Sequence, residues 1–163
     1  MKVEKLDTQS ENPTKLLSLL KDTTNSYKYL FLLALLRNLR QSNSREIPLL
    51  SLVADMLAMS WYPCTFSRIN FGNQDQISSL IEEIKYSPSF SRLKNYQGNS
   101  LDKIRKNFLE ILNNPEFETK SRNILLRYVP YRLLSPLFKK ELKGKKDQAK
   151  NKLIFELASE YFS

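Results

Sequence analysis

The sequence predicts an all-α protein, and three observations predict it. Apolar residues recur at spacings of three and four along most of the 163 residues, the period of a helix that buries one face. Helix-starting residues, Asn, Ser and Pro, stand ahead of several of these stretches. Glycine is scarce: Gly72, Gly98 and Gly144 are all that the chain contains, too few for the turns of an antiparallel β-protein of this length. The expectation is one compact bundle of seven to eight helices, some short, occupying 1–163 as a single domain. That length supports one ordinary core, and two full domains would be cramped.

The elements follow in order. Met1 to Glu11 is polar and mixed in charge and is expected to be disordered. Asn12 and Pro13 form a helix start, with a short helix to about Leu20. Ser26 caps the next helix, which runs to about Arg40. Its segment Tyr27 to Leu36 is apolar nearly all round, which predicts the central buried helix. After the polar loop at Ser42 to Ser44, Pro48 opens a third helix, whose Leu49, Leu52, Val53, Met56 and Leu57 share helical spacing. It is expected to end near Ser60, ahead of Pro63. An aromatic-rich ordered loop is expected at 61–73, with Thr65 to Phe71 as a short strand or extended piece. Asn73 and Gln76 have capping-box spacing and predict a helix from Gln74 to about Lys85. Ser87 to Asn99 is polar and irregular, a long loop. Ser100 caps an amphipathic helix with Leu101, Ile104, Phe108 and Ile111 on one face; Asn113, Asn114 and Pro115 end it. A helix over Phe117 to Arg127 follows. Pro130 and Pro136 break Tyr128 to Phe138 into a turn or short helical pieces. Asp147 caps the last helix, with Ile154, Leu157, Ala158 and Tyr161 as its apolar stripe.

The formal charge is +9, and it is not spread evenly. Lys120 to Lys152 holds 11 basic residues against Glu141 and Asp147, which is +9; the other residues hold 15 basic and 15 acidic and balance. Charge segregated in this way suits a polyanionic partner. Arg127, Arg132, Lys139, Lys140, Lys143, Lys145, Lys146 and Lys150 are the candidate nucleic-acid contacts. Lysines meet phosphates as flexible point charges and release counterions, so the expected affinity is salt-dependent. Lys139 to Lys152 is expected to be the exposed, flexible half of the segment, and Tyr128 to Phe138 the half that packs on the domain. The plainer reading of the same residues is a solvated helix face and loop.

Several chemistries are excluded. The chain has no histidine and one cysteine, Cys64. Ser–His and Cys–His nucleophiles, thiolate zinc clusters and internal disulfides are therefore absent. Clustered glycines for a phosphate-cradling loop are missing. No catalytic residue, metal ligand set or cofactor is expected. Cys64, beside aromatics, reads as a small core hydrophobe. Glu82 and Glu83, Glu116 and Glu118, and Asp102 are not spaced as paired catalytic carboxylates or metal ligands. The N-terminus lacks the apolar core of a signal peptide, and the longest apolar run, Tyr29 to Leu36, is far too short to cross a bilayer. A cytoplasmic protein without membrane contact is expected.

A second cluster, Trp61, Tyr62, Phe66 and Arg68, offers an alternative. Trp, Tyr and Arg dominate interface hot spots, so the loop could serve protein–protein interaction or dimerisation. The plainer reading packs its aromatics on the core. A helix-turn-helix is a weak fit, because the third and fourth helices stand about thirteen residues apart where a turn of three or four is usual.

Three segments carry a family resemblance: Asn25-Ser-Tyr-Lys-Tyr-Leu-Phe-Leu-Leu-Ala-Leu-Leu36; Met59-Ser-Trp-Tyr-Pro63 with Asn70-Phe-Gly-Asn-Gln-Asp-Gln76; and Tyr128-Val-Pro-Tyr-Arg-Leu-Leu-Ser-Pro-Leu-Phe138. In order and spacing they resemble the N-terminal helical region of bacterial HNH-endonuclease-like proteins, over most of Asn12 to Phe162. The resemblance implies a nuclease module further downstream, which requires histidine. No catalytic residue of that family carries over to this chain. The sequence-level expectation is a non-catalytic helical domain that binds or positions nucleic acid, DNA with little sequence preference, beside a downstream nuclease module or as a homo-oligomer.

Overall fold

A computed structural model describes residues 27–41, 46–67, 69, 71, 76–86, 100–127 and 129–161, the side chains at 147, 148 and 158–161 excepted. The protein is all-α: among the described residues no strand forms. Six helices have eleven residues or more: α1 (Tyr27–Gln41), α2 (Leu49–Thr65), α3 (Gln76–Tyr86), α4 (Leu101–Ile111), α5 (Pro115–Leu125) and α7 (Asp147–Tyr161). The six-residue α6 (Val129–Leu134) and a 3-10 turn (Ser135–Phe138) join the last two. Within the expected span Tyr128 to Phe138, the described residues 129–138 form the short helical pieces expected of its prolines. Among the described residues the six long helices fall slightly below the seven to eight expected. The anticipated helix from Asn12 to Leu20, the loop from Ser87 to Asn99 and the caps Ser26 and Asn73 lie outside the described residues.

The central helix is α2, not α1. It packs on α1, α3, α4 and α5, and Leu52 to Ala58, Ser60 and Trp61 are all buried. The physical reason lies in the side chains. Ala54, Ala58 and Ser60 let neighbouring backbones approach from several sides, whereas α1 carries Arg37 and Arg40. Helix α1 buries Tyr27, Leu30, Phe31, Ala34 and Asn38 and exposes Tyr29, Leu33, Leu36 and Leu39.

Helix α2 also runs through the predicted boundary. Pro63 sits inside its last turn, and Trp61 to Thr65, expected in the aromatic-rich loop at 61–73, are helical. Proline forfeits one backbone bond, but local partners hold the turn. Thr65 Oγ1 donates to Trp61 O at 2.7 Å, and Phe66 N to Tyr62 O at 3.0 Å. Trp61 is buried edge-on against Phe108, with ring centroids 5.9 Å apart, a contact that anchors the extra turn to α4. Beyond it, Phe71 returns to the core while Ile69 is exposed.

Caps place the remaining helices. Ser100 Oγ accepts from Lys103 N, as its position predicted. Helix α4 ends ahead of Asn113 to Pro115 as expected, and Asn114 also opens α5: its Oδ1 accepts from Glu116 N and Phe117 N at 3.1 and 3.2 Å, and Pro115 takes the first helical position. Helix α3 is capped from outside. Tyr27 Oη on α1 accepts from Gln76 N at 2.6 Å and Ile77 N at 3.0 Å, satisfying two amides that a helix start leaves unpaired.

The core is in two parts. The main cluster centres on Val53, Leu57, Ile77, Ile81, Ile104 and Phe108. A smaller one joins Phe138, Leu142 and Ile154, with Tyr131, Leu134, Leu137, Leu153 and Leu157 packed against it. It ties α6, the 3-10 turn and α7 into a C-terminal unit, which reaches the rest of the fold mainly where α6 packs on α1.

Candidate nucleic-acid interface and a buried charge cluster

The basic segment is built on the C-terminal unit. Phe138 and Leu142, both buried in the small cluster, act as pegs for the chain between the 3-10 turn and α7. Leu142 N donates to Phe138 O at 3.1 Å, Lys145 N to Leu142 O at 3.2 Å, and Lys150 N to Lys146 O at 2.9 Å. Gly144 makes the reversal possible with φ +77°, a left-handed conformation that side chains disfavour. These bonds make 139–146 a structured turn, where a flexible segment was expected. Its exposure is as expected: Lys139, Lys140, Lys143, Lys145 and Lys146 all point to solvent, as do Arg127 and Arg132, while Lys150 is half-buried.

The charges of the segment do not all have the same freedom. Lys120 pairs with Glu83, and Arg122 with Glu118 at 3.1 Å. The first pair joins α5 to α3 and the second lies within α5, both outside the C-terminal unit. Lys152 lies 4.0 Å from Glu156 one turn on. From Arg127 to Lys152 the chain still carries nine basic residues against Glu141 and Asp147. The turn therefore presents closely spaced ammonium groups on an ordered backbone, the arrangement that meets successive phosphates.

Of the alternative partner surface, Trp61, Tyr62 and Phe66 are among the described residues. Trp61 is 4% exposed and belongs to the core, so the plainer reading of that cluster holds for it. Tyr62 is half-buried beside Phe66, with centroids at 5.4 Å, and only Phe66 of the three is exposed. Arg68 lies outside the described residues. Cys64 is half-buried and packs against the main core. Helix α2 ends at Thr65 and Phe71 is still outside a helix, a separation already longer than the turn of a helix-turn-helix.

A second charged site was missed by the sequence reasoning. Asp55, in the middle of α2, is 0% exposed. Arg37 Nε from α1 lies 2.9 Å and Arg105 Nε from α4 lies 3.0 Å from the same oxygen, Asp55 Oδ1. Asn38 Nδ2 donates to Asp55 Oδ2 at 2.7 Å and to Ala34 O at 2.8 Å. Ser51 Oγ donates to Asn38 Oδ1 and accepts from Arg105 Nη2. Arg37 also reaches Asp102 at the surface. One buried carboxylate thus joins three helices through two ion pairs, in which both Nε atoms lie close to Asp55 Oδ1 without hydrogen-bond alignment. The signal for it was present: Asp55 is the lone charge in the apolar run from Leu49 to Trp61, on the same face as Leu52 and Met56. A carboxylate there must either be paired or be costly.

Chemically the two sites differ. The buried cluster has its charges matched within itself and holds α1, α2 and α4 together. The exposed turn carries five solvent-facing lysines that an anion can reach. Among the described residues no helix is long and apolar enough to cross a membrane. No protein-family model, curated protein or solved structure matches this chain.

Proposed function

We propose that this chain is a non-catalytic DNA-binding helical module, cytoplasmic, that grips the phosphate backbone through Arg127, Arg132 and the lysine turn 139–150. One observation carries this reading. The excess positive charge lies on an ordered turn pegged by Phe138 and Leu142, so five lysines are held outward rather than dispersed along a loose tail. Phosphate contacts give affinity with little base preference. The resemblance to HNH-endonuclease-like proteins supplies a purpose for such a grip: holding duplex DNA beside a nuclease module, which this chain does not contain.

Fluorescence anisotropy with labelled duplex DNA over a salt series tests the reading. With six or more phosphates contacted, affinity should fall on the order of a thousandfold between about 50 and 200 mM salt. Changing Lys139, Lys140, Lys143, Lys145 and Lys146 together to Glu should abolish binding while leaving the helical circular-dichroism spectrum unchanged. Absence of binding at low salt, or full binding by that variant, refutes the proposal.

A further inference from the structure

The outward face of α1 has the composition of an interface. Tyr29, Leu33 and Leu36 recur at i, i+4 and i+7 and form one stripe along the helix, continued at i+11 by Arg40 and bordered by Leu39. All four apolar residues are well exposed, Leu33 and Leu36 at 52% and 53%. A contiguous row of large apolar side chains on a surface helix marks a docking site more often than idle surface. The opposite face of α1 is occupied by the core, so rotation of the helix cannot hide the stripe.

Charge identifies the occupant. Arg37 lies at the edge of the stripe that faces α4, where it meets Asp102. Arg40 on α1 and Lys103 and Lys106 on α4 are exposed, against Asp102 and Glu110. A second copy pairing through a twofold axis would bring these like charges together. DNA matches the cations but not the leucines. An amphipathic helix matches both when its apolar face is flanked by carboxylates. We infer that the α1 face, with Arg40, Lys103 and Lys106 at its rim, is the docking site for an acidic amphipathic helix of a partner protein. This site stands apart from the lysine turn and does not depend on DNA binding.

The probe is a labelled helical peptide of about 15 residues with leucines at i, i+3, i+4, i+7 and i+11 and glutamates beside them, compared with the same peptide carrying glutamines. The full chain should bind the glutamate peptide about tenfold more tightly or better, a difference of about 1.4 kcal/mol. Leu36→Ser and Arg40→Glu, both at exposed positions, should each weaken binding about tenfold and leave DNA affinity unchanged. Equal binding of the two peptides, no binding of either, or indifference to Leu36→Ser overturns the inference. So does light scattering that shows a dimer dispersed by Leu36→Ser, since a second copy would then cover the face.

Discussion

The Arg37–Asp55–Arg105 cluster and the lysine turn at 139–146 are both rich in charge, and they do opposite things. In the cluster two guanidinium groups converge on one carboxylate oxygen at 2.9 and 3.0 Å, away from water. Their charge is consumed internally, and the result is a fixed geometry for α1, α2 and α4. In the turn, five lysines face solvent, where a phosphate can reach them. A count of formal charges treats the two alike. Desolvation separates them: a buried charge specifies structure, and an exposed one can be exchanged for a phosphate.

The comparison breaks most visibly at Asp55. Asp55→Ala leaves two arginines, 20% and 22% exposed, without their shared counter-charge. The expected loss is about 3–5 kcal/mol of unfolding free energy, measured by urea denaturation. The folded fraction should bind DNA as before. A loss under about 1 kcal/mol would mean that water reaches the cluster and that the contrast with the turn is false.

A smaller effect is expected where the turn is pegged. Leu142→Ala removes an anchor from the small C-terminal cluster, for about 2 kcal/mol, the low end for a buried leucine because the site lies near the surface. The loss should be local. Hydrogen exchange should accelerate over 129–157 and leave the α2 amides protected. DNA affinity should also fall, since the lysines lose their ordered backbone. Gly144→Ala comes next, at about 1 kcal/mol. A methyl group there meets nothing within 4 Å, so the cost is conformational alone and should appear as the same local loosening, weaker.

The two regions also differ in how legible they were. The lysine run was plain in the sequence because segregation of charge is a property of the chain order itself. The cluster was not, because its members stand at 37, 55 and 105 and only tertiary packing joins them. Local signals behaved in the same way. Ser100 capped its helix as predicted because the bond spans three residues. Pro63 misled because the edge-on contact of Trp61 with Phe108, 47 positions away, keeps α2 going past it. Tyr27 as the cap of α3 had no local trace at all, its partners lying 49 and 50 residues on. The central helix was misassigned for a related reason. Tyr27 to Leu36 is apolar enough to be central, but the small residues of α2 decide which helix others can surround.

The finest test lies within the basic run. Lys143 is exposed on the turn, whereas Lys120 is exposed but paired with Glu83 on α3. Neither substitution by Ala should move stability by more than about 0.5 kcal/mol, since surface positions and exposed ion pairs contribute little. Their effects on DNA should differ. Each phosphate contact adds about 0.9 to the slope of log affinity against log salt. Lys143→Ala should lower that slope by about 0.9, and Lys120→Ala should leave it unchanged. Equal slopes for the two variants would mean that DNA responds to total charge and that the ordered turn has no special part in the grip. Unequal slopes would locate the grip on the backbone that Phe138, Leu142 and Gly144 hold in place.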